Sequence, residues 1–501
     1  MSLAWTLFSI YILVTSYLGW MGYKKTKGFD SFAIGAGDLA PWVVGVTMAA
    51  STASAATFII NPGFVYVHGL AGFMHFAPGI AIGFIVMLVI LSFRFSRIGA
   101  DNKALTIPHW IGNRYNSKSF ALYFAFLNLL SFAFVVLIVG GLSIVMQNLL
   151  GIHNVAALII ILTFVTGYIF SGGTYAHVYT NMLQGSLMIL VALIVIGSGL
   201  TLFFNNPSLI DQLRNQDASL TMWVNPNSNL FNNFYSVYPA GFIIGAALVC
   251  QPHILTKALY LNTDKQVRQY LTVGIIVLVL FFSLVVVGFY SRVVIPPEQL
   301  LDATGTLRQD LVMTMYIKNA FPGWVFQFIS VVLLAAGMST LDGILIGLST
   351  ITANDLVLNL VQKFKGHHWD RKRQLQFAHK ASHIVLVVVA VMAFLICLNP
   401  PKLLGIFGQL GVYGLVVAVV PPLLSGIMYK NVSLPLVWGT SILGLSVHFV
   451  LYVFGTSIFP GSELVFKNPG VSASLAVLTS TFPALIGGFF INKTFKVNEK
   501  E

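Results

Sequence analysis

The chain has 501 residues, of which 57% are hydrophobic and 8% charged, with a formal net charge of +12. An ordinary soluble domain carries roughly 25% charged residues, so a soluble protein of this length could not cover its surface. The apolar residues come in blocks of about 20 or more, enough to cross ~30 Å of hydrocarbon. They lack the alternation of strands, and open sheet edges cannot lie in lipid, so the spans are helices. The basic residues sit in short connectors between apolar blocks, which is a topogenic pattern and not a nucleic-acid footprint. Cys250 and Cys397 both fall in spans, leaving no disulfide framework and no CxxC pair. Leu3 to Met21 lacks a basic n-region and a cleavage site, and reads as a retained first span.

Thirteen spans are predicted in chain order: 3–22, 40–66, 70–93, 119–149, 154–173, 181–204, 235–255, 270–294, 322–357, 379–398, 403–428, 434–455 and 470–491. With the N-terminus outside, 21 Lys and Arg residues fall on the inner side. Six fall on the outer side: Arg214, Arg292, Arg308, Lys318, Lys402 and Lys467. Cytoplasmic connectors carry the Lys/Arg excess, so the expected topology is N-terminus out and C-terminus in, in a cell membrane. The long outer loops are 205–234 and 295–321. No soluble domain or nucleotide-binding motif is evident, which argues against ATP-driven transport.

Two spans read as broken. Span 2 has seven small or hydroxyl residues in a row, Ala50 to Ala56, then Asn61-Pro62-Gly63. Span 7 carries Pro239, Gly241, Gly245 and Pro252. These two spans run in opposite directions. Interrupted segments at corresponding positions of two opposed halves point to an inverted-repeat transporter with its site at the breaks. The alternative is that the small residues only let helices pack closely.

One of the fifteen acidic residues, Asp342, is predicted to lie deep in a span; such a carboxylate is costly and a functional candidate. Upstream of it, Ala336, Ser339 and Thr340 stand at i, i+3 and i+4, on one helical face. Two hydroxyls and any freed backbone carbonyl would be hard oxygen ligands for a small monovalent cation. The bland reading is Ser and Thr bonding back to the i−4 carbonyl. Asp342 lies off the centre of that face, beside the cation path, so an asparagine there is expected to preserve Na⁺-driven uptake. Most histidines, including His367 and His368 in a basic loop, read as solvated or interfacial. His75 and His448 lie within spans but lack an acidic or Cys neighbour at metal spacing. No catalytic triad or paired intramembrane carboxylate supports an enzyme.

The chain resembles the sodium:solute symporter family of proline, pantothenate, acetate, sialate and galactose carriers. The resemblance rests on SFAIGAGDLAPWVVG, TASAATFIINPGFVYVHG, TIPHWIGNRYNSKS, YTNMLQG, QPHILTKALYLNTDKQVR and AAGMSTLDGILIGLSTITANDL, in that order. It implies an all-α polytopic membrane protein with a LeuT-type 5+5 inverted-repeat core. Residues 3–22 would be an extra helix, 40–204 the first repeat, 235–428 the second, and 434–491 two further helices. It also implies a Na⁺ site of the carbonyls of Ala50, Ala53 and Ala336 with the hydroxyls of Ser339 and Thr340. Where some members have an Asp, YTNMLQG has Asn181, which removes a charge from a second ion or from the exit route. Positions that are polar in the galactose member are here Thr57, Phe76, Cys250 and Leu410, with Gln409 adjacent. Thr52, Thr57, Cys250 and Gln409 are therefore the expected solute contacts, with Asp342 and Asn181 along the ion path.

A sugar needs many directional hydrogen bonds, so a small amino acid or monocarboxylate suits such a site better. The expected activity is Na⁺-coupled symport of a small solute by alternating access, with the bilayer as the other partner. Neither nucleic acid nor an obligate protein partner is expected. The alternatives are the same fold running on protons through Asp342, a transporter-like sensor, and an intramembrane enzyme.

Overall fold

The computed structural model describes residues 3–35, 37–302, 305, 307–365, 369–401 and 404–498. His367, His368 and Lys402 lie outside these. The described residues form helices joined by turns, with one isolated bridge between Leu301 and Leu307 and no sheet. Ten of the helices are long and apolar enough to cross a bilayer, and the pair Phe234–Leu248 and Pro252–Tyr260, bent by 61°, makes eleven.

This count is lower than the thirteen spans expected because two of the ten are very long. Ala56–Asp101 and Asn154–Phe203 have 46 and 50 residues, or about 70 Å each at 1.5 Å per residue, over twice the hydrocarbon thickness. Each contains a glycine outside helical dihedrals, Gly69 (φ 63, ψ −140) and Gly173 (φ 49, ψ −136), where it kinks into two parts. The second kink corrects the sequence reading. Residues 174–180, predicted as a connector, are helix, and all but Tyr179 are buried.

Gly173 is required for two reasons. Its φ is left-handed, and a Cβ there would sit 2.5 Å from the Phe32 ring and 2.8 Å from the Phe32 carbonyl oxygen. A left-handed L-residue costs roughly 1–2 kcal/mol before any clash. Gly167, six residues earlier on the same helix, has open space around it. Gly173→Ala is expected to abolish the monodisperse peak in detergent size-exclusion chromatography, while Gly167→Ala retains it. Equal recovery of both would refute this account of the kink.

The helix Gly323–Ile351 forms the centre of the molecule, with every residue from 329 to 346 buried. A helix apolar all round has no solvent-facing stripe, so it is enclosed by others. The N-terminal helix Leu3–Lys25 and the long helix Asn154–Ser198 pack on it, and so does the half-helix Pro41–Thr52. One end of the bundle gathers Arg94, Arg97, Arg114 and Lys430 around one cleft. There Arg114 donates to the carbonyls of Gly426 (2.8 Å) and Lys430 (3.0 Å), and Arg97 pairs with Asp264 at 2.6 Å. This end is the basic face.

Candidate transport site

The first break follows from residue chemistry. Pro62 has no N–H for the carbonyl of Phe58, and the chain widens into a π-turn, Ala56–Ile60, ahead of it. Upstream, the half-helix Pro41–Thr52 ends and Ala53 leaves helical geometry (φ −80, ψ 72). In a continuous helix the Ser54 N–H would bond the Ala50 carbonyl; here it bonds Thr52 O at 3.0 Å. The Ala50 carbonyl is thereby freed for another partner. At the second break Pro252 begins the short helix Pro252–Leu255, and the residue before it, Gln251, is extended (φ −66, ψ 137). Leu248 O, which cannot bond Pro252, takes both the backbone and side-chain N–H of Gln251, each at 3.2 Å.

The freed carbonyls meet the hydroxyl face of the central helix. Ser339 Oγ lies 3.0 Å from Ala50 O and 2.7 Å from Ala336 O, and its single proton serves one of them at a time. Thr340 Oγ1 donates to Ser51 O at 2.9 Å. Ala50, Ala336, Ser339 and Thr340 are thus neighbours with no exposed surface, while Ala53 closes the end of the same half-helix. Asn181 Nδ2 donates to Ser339 O and to Ser51 Oγ, both at 2.9 Å, which leaves its Oδ1 buried without a hydrogen-bond partner. The neutral oxygens on both helices are of the hard type a small monovalent cation takes.

Asp342 is fully buried and belongs to a larger assembly than the sequence suggests. Its Oδ1 accepts from His177 Nδ1 at 2.8 Å, and its Oδ2 accepts from Tyr168 OH at 3.0 Å, with Thr180 Oγ1 at 3.4 Å. His177 Nε2 in turn lies 2.9 Å from Lys257 Nζ. That ammonium donates further to Thr47 O and Ser51 Oγ, both at 2.8 Å. Lys257, read from sequence as an inner-connector charge, is 1% exposed. His177, grouped with the interfacial histidines, is equally buried. Asp355, placed at a span end, is also enclosed and accepts from Thr106 Oγ1 at 2.6 Å. The available signal was that Lys257 and His177 stand alone in apolar runs, ILTKALYL and TYAHVYTN, unlike the clustered connector charges. His75 and His448 bond backbone carbonyls of Ser236 and Leu410, and His448 also meets Ser472.

Both breaks open onto one cavity of about 80 Å³. Thr52, Thr57 and Gln409 line it, together with Asn61, Gln251 and His253. Cys250, expected as a solute contact, is fully buried beside it, and its neighbour Gln251 reaches the cavity instead. Toward the far face Phe76 and Tyr413 close it, and both also wall a second space with Phe231 and His75. Toward the basic face His253 is the shared wall with a cavity of about 20 Å³ lined by His177, Tyr260 and Thr106.

A largely apolar cavity with a few convergent polar groups, at two opposed helix breaks in a membrane bundle, defines a membrane transport protein. The profile of the sodium:solute symporter family matches residues 32–435, and the chain belongs to that family. The sodium/pantothenate symporter of Haemophilus influenzae is 25% identical over 447 residues, 88% of each chain. A sodium/proline symporter of Staphylococcus aureus is 23% identical over 417 residues, 78% of this chain and 74% of that one. A Na⁺-coupled sialic acid symporter, solved substrate-bound and outward-open, superposes with a TM-score of 0.74 at 18% identity. That match covers 97% of this chain and 98% of the other. A nucleobase-cation-symport-1 family transporter, solved in a closed conformation, gives 0.52 at 14% identity over 91% and 93% of the two chains. The fold is therefore the broken-helix, LeuT-like fold expected from the resemblance.

Proposed function

We propose that the protein couples inward Na⁺ flow to the uptake of a small amino acid or monocarboxylate by alternating access. The observation that carries this reading is the convergence of the freed Ala50 carbonyl with Ala336 O and Ser339 Oγ across the first break. These oxygens, with Thr340 Oγ1 and the carbonyl of Ala53, would hold the ion; the spare Asn181 Oδ1 shows unspent acceptor capacity beside them. The membrane potential supplies ~2.3 kcal/mol per charge per 100 mV. Binding is reciprocal, since ion and solute must raise each other's affinity by the same factor. The basic face is the cytoplasmic one, with the N-terminus outside, because Lys and Arg are retained on that side.

The solute would sit at Thr52, Thr57 and Gln409, with Gln251 and His253 closing the inner side. Among the described residues no Asp, Glu, Lys or Arg lines the cavity, so a carboxylate there would be held by backbone N–H groups of the broken helices and by the bound cation. The two curated relatives carry, by name, proline and pantothenate, each with a single carboxylate. The experiment is a solute panel offered to proteoliposomes under an inward Na⁺ gradient, with choline as control. An amino acid or monocarboxylate accumulated only with Na⁺ is expected. Accumulation of sugars alone would overturn the solute class, and uptake driven by a pH gradient without Na⁺ would overturn the ion.

A further inference from the structure

We propose that Lys257 is a built-in cation of the transport site, seated where a second coupling ion would otherwise bind, so that one Na⁺ suffices. The inference rests on the Na⁺ reading above and assigns to Lys257 a role in setting how many ions the site takes.

With His177 neutral, the hydrogen-bond geometry fits an ammonium at Lys257. His177 Nδ1 faces the Asp342 carboxylate at 2.8 Å and must carry a proton there, so the neutral ring presents Nε2 as an acceptor. Lys257 Nζ then has three acceptors within 2.9 Å: His177 Nε2, Thr47 O and Ser51 Oγ. An ammonium has three donors and no acceptor, which matches this set when His177 is neutral; a neutral amine would instead accept from a protonated His177 Nε2, and either way one positive charge sits on the Lys257–His177 pair. Ser51 Oγ completes the pattern by accepting from Lys257 and from Asn181 while donating to Ser339 O at 3.2 Å.

This charge sits beside the half-helix of the first break and not against the carboxylate. Counterbalancing Asp342 needs a cation near the carboxylate, yet the ammonium is held away from it, with His177 between. Two of its three bonds go to the half-helix Pro41–Thr52, whose freed carbonyls face Ser339 and Thr340. A single hydroxyl, that of Ser51, separates the ammonium from Ser339. Asp342 and Lys257 cancel, Asn181 adds no charge, and the cradle is left neutral before one Na⁺ enters. Without the Lys257 side chain, Thr47 O, Ser51 Oγ and His177 Nε2 would be three converging acceptors beside an unbalanced carboxylate. That is the donor set of a cation site.

The test uses purified full-length protein in detergent and radiolabelled Na⁺ alone, so it needs no knowledge of the solute. Wild type is compared with Lys257→Ala, Lys257→Arg and the double variant Lys257→Ala/Asp342→Asn. Bound Na⁺ per chain and the Na⁺-induced rise in melting temperature are read against choline. Wild type and Lys257→Arg are expected to bind one Na⁺. Lys257→Ala is expected to bind two, with the Hill coefficient rising from about 1 toward about 2, or to fold only when Na⁺ is supplied. The double variant is expected to return to one. Two Na⁺ on wild type would overturn the inference. So would a Lys257→Ala protein with one site of unchanged affinity, or one that stays unfolded at every Na⁺ concentration while the double variant folds. A wild type indifferent to Na⁺ in both readouts would instead count against the Na⁺ reading itself.

Discussion

Asp342→Asn is expected to destabilise the protein by about 3–5 kcal/mol, the usual consequence of removing one partner from a buried charge pair. From the sequence alone the change looks mild, since the amide keeps the shape and one acceptor oxygen. The structure reverses that expectation. Both carboxylate oxygens are acceptors for His177 and Tyr168. An amide turns two N–H donors toward one of those donors and leaves Lys257 as a buried cation with no counter-charge. Melting temperature in detergent and Na⁺-driven uptake should both fall sharply. Partial recovery is expected on adding Lys257→Ala, which removes the orphaned charge. A single variant with wild-type melting temperature and uptake would show that the Lys257–His177–Asp342 chain holds little.

Ser339→Ala and Thr340→Ala should act differently, on ion affinity more than on folding. Each removes one neutral hydroxyl from a proposed five-oxygen site, a loss on the order of 1–3 kcal/mol. That corresponds to roughly 5- to 150-fold in the Na⁺ concentration needed for half-maximal uptake. Ser339 should be the more sensitive, because its hydroxyl bridges Ala50 O and Ala336 O across the two helices. Thr340 reaches only Ser51 O. Na⁺ activation curves at saturating solute measure the effect; unchanged curves for both variants would remove the site from these residues.

The helical class and both breaks were legible because each has a local cause. Hydrophobic length defines spans, and the run Ala50–Ala56 with Pro62, like Pro252 after Gln251, dictates where backbone groups go unpaired. The Ser339/Thr340 face was legible for the same reason, since helical periodicity fixes which residues share a side. What stayed hidden depended on how connectors fold back. Residues 174–180 look like a polar link because Thr174, His177 and Thr180 interrupt the apolar run, yet the helix continues through them and each finds a buried partner. Lys257 looks topogenic because it follows a span. Only the 61° turn at Pro252 aims its long side chain inward. Ser51 lay unnoticed between Ala50 and Ala53, although its hydroxyl and carbonyl join both halves of the site. Cys250 lies behind the cavity wall that Gln251 reaches, a shift of one residue of the size that a helix break introduces into register.

The two walls of the cavity at the breaks differ in thickness, and this has a kinetic consequence. Toward the far face stand Phe76 and Tyr413, backed by Phe64 and Phe231 at ring distances of 5.2 Å and 6.0 Å from Phe76. Toward the basic face the shared wall is the His253 imidazole, on the four-residue helix that follows the second break. Unstacking an aromatic cluster disturbs several packed rings at once, whereas swinging one imidazole is a rotamer change on a short, bent element. Opening toward the basic face therefore displaces fewer packed rings. Such asymmetry bears on which gate limits the cycle, but not on how far a solute accumulates, because a barrier enters forward and reverse rates alike and cancels at equilibrium.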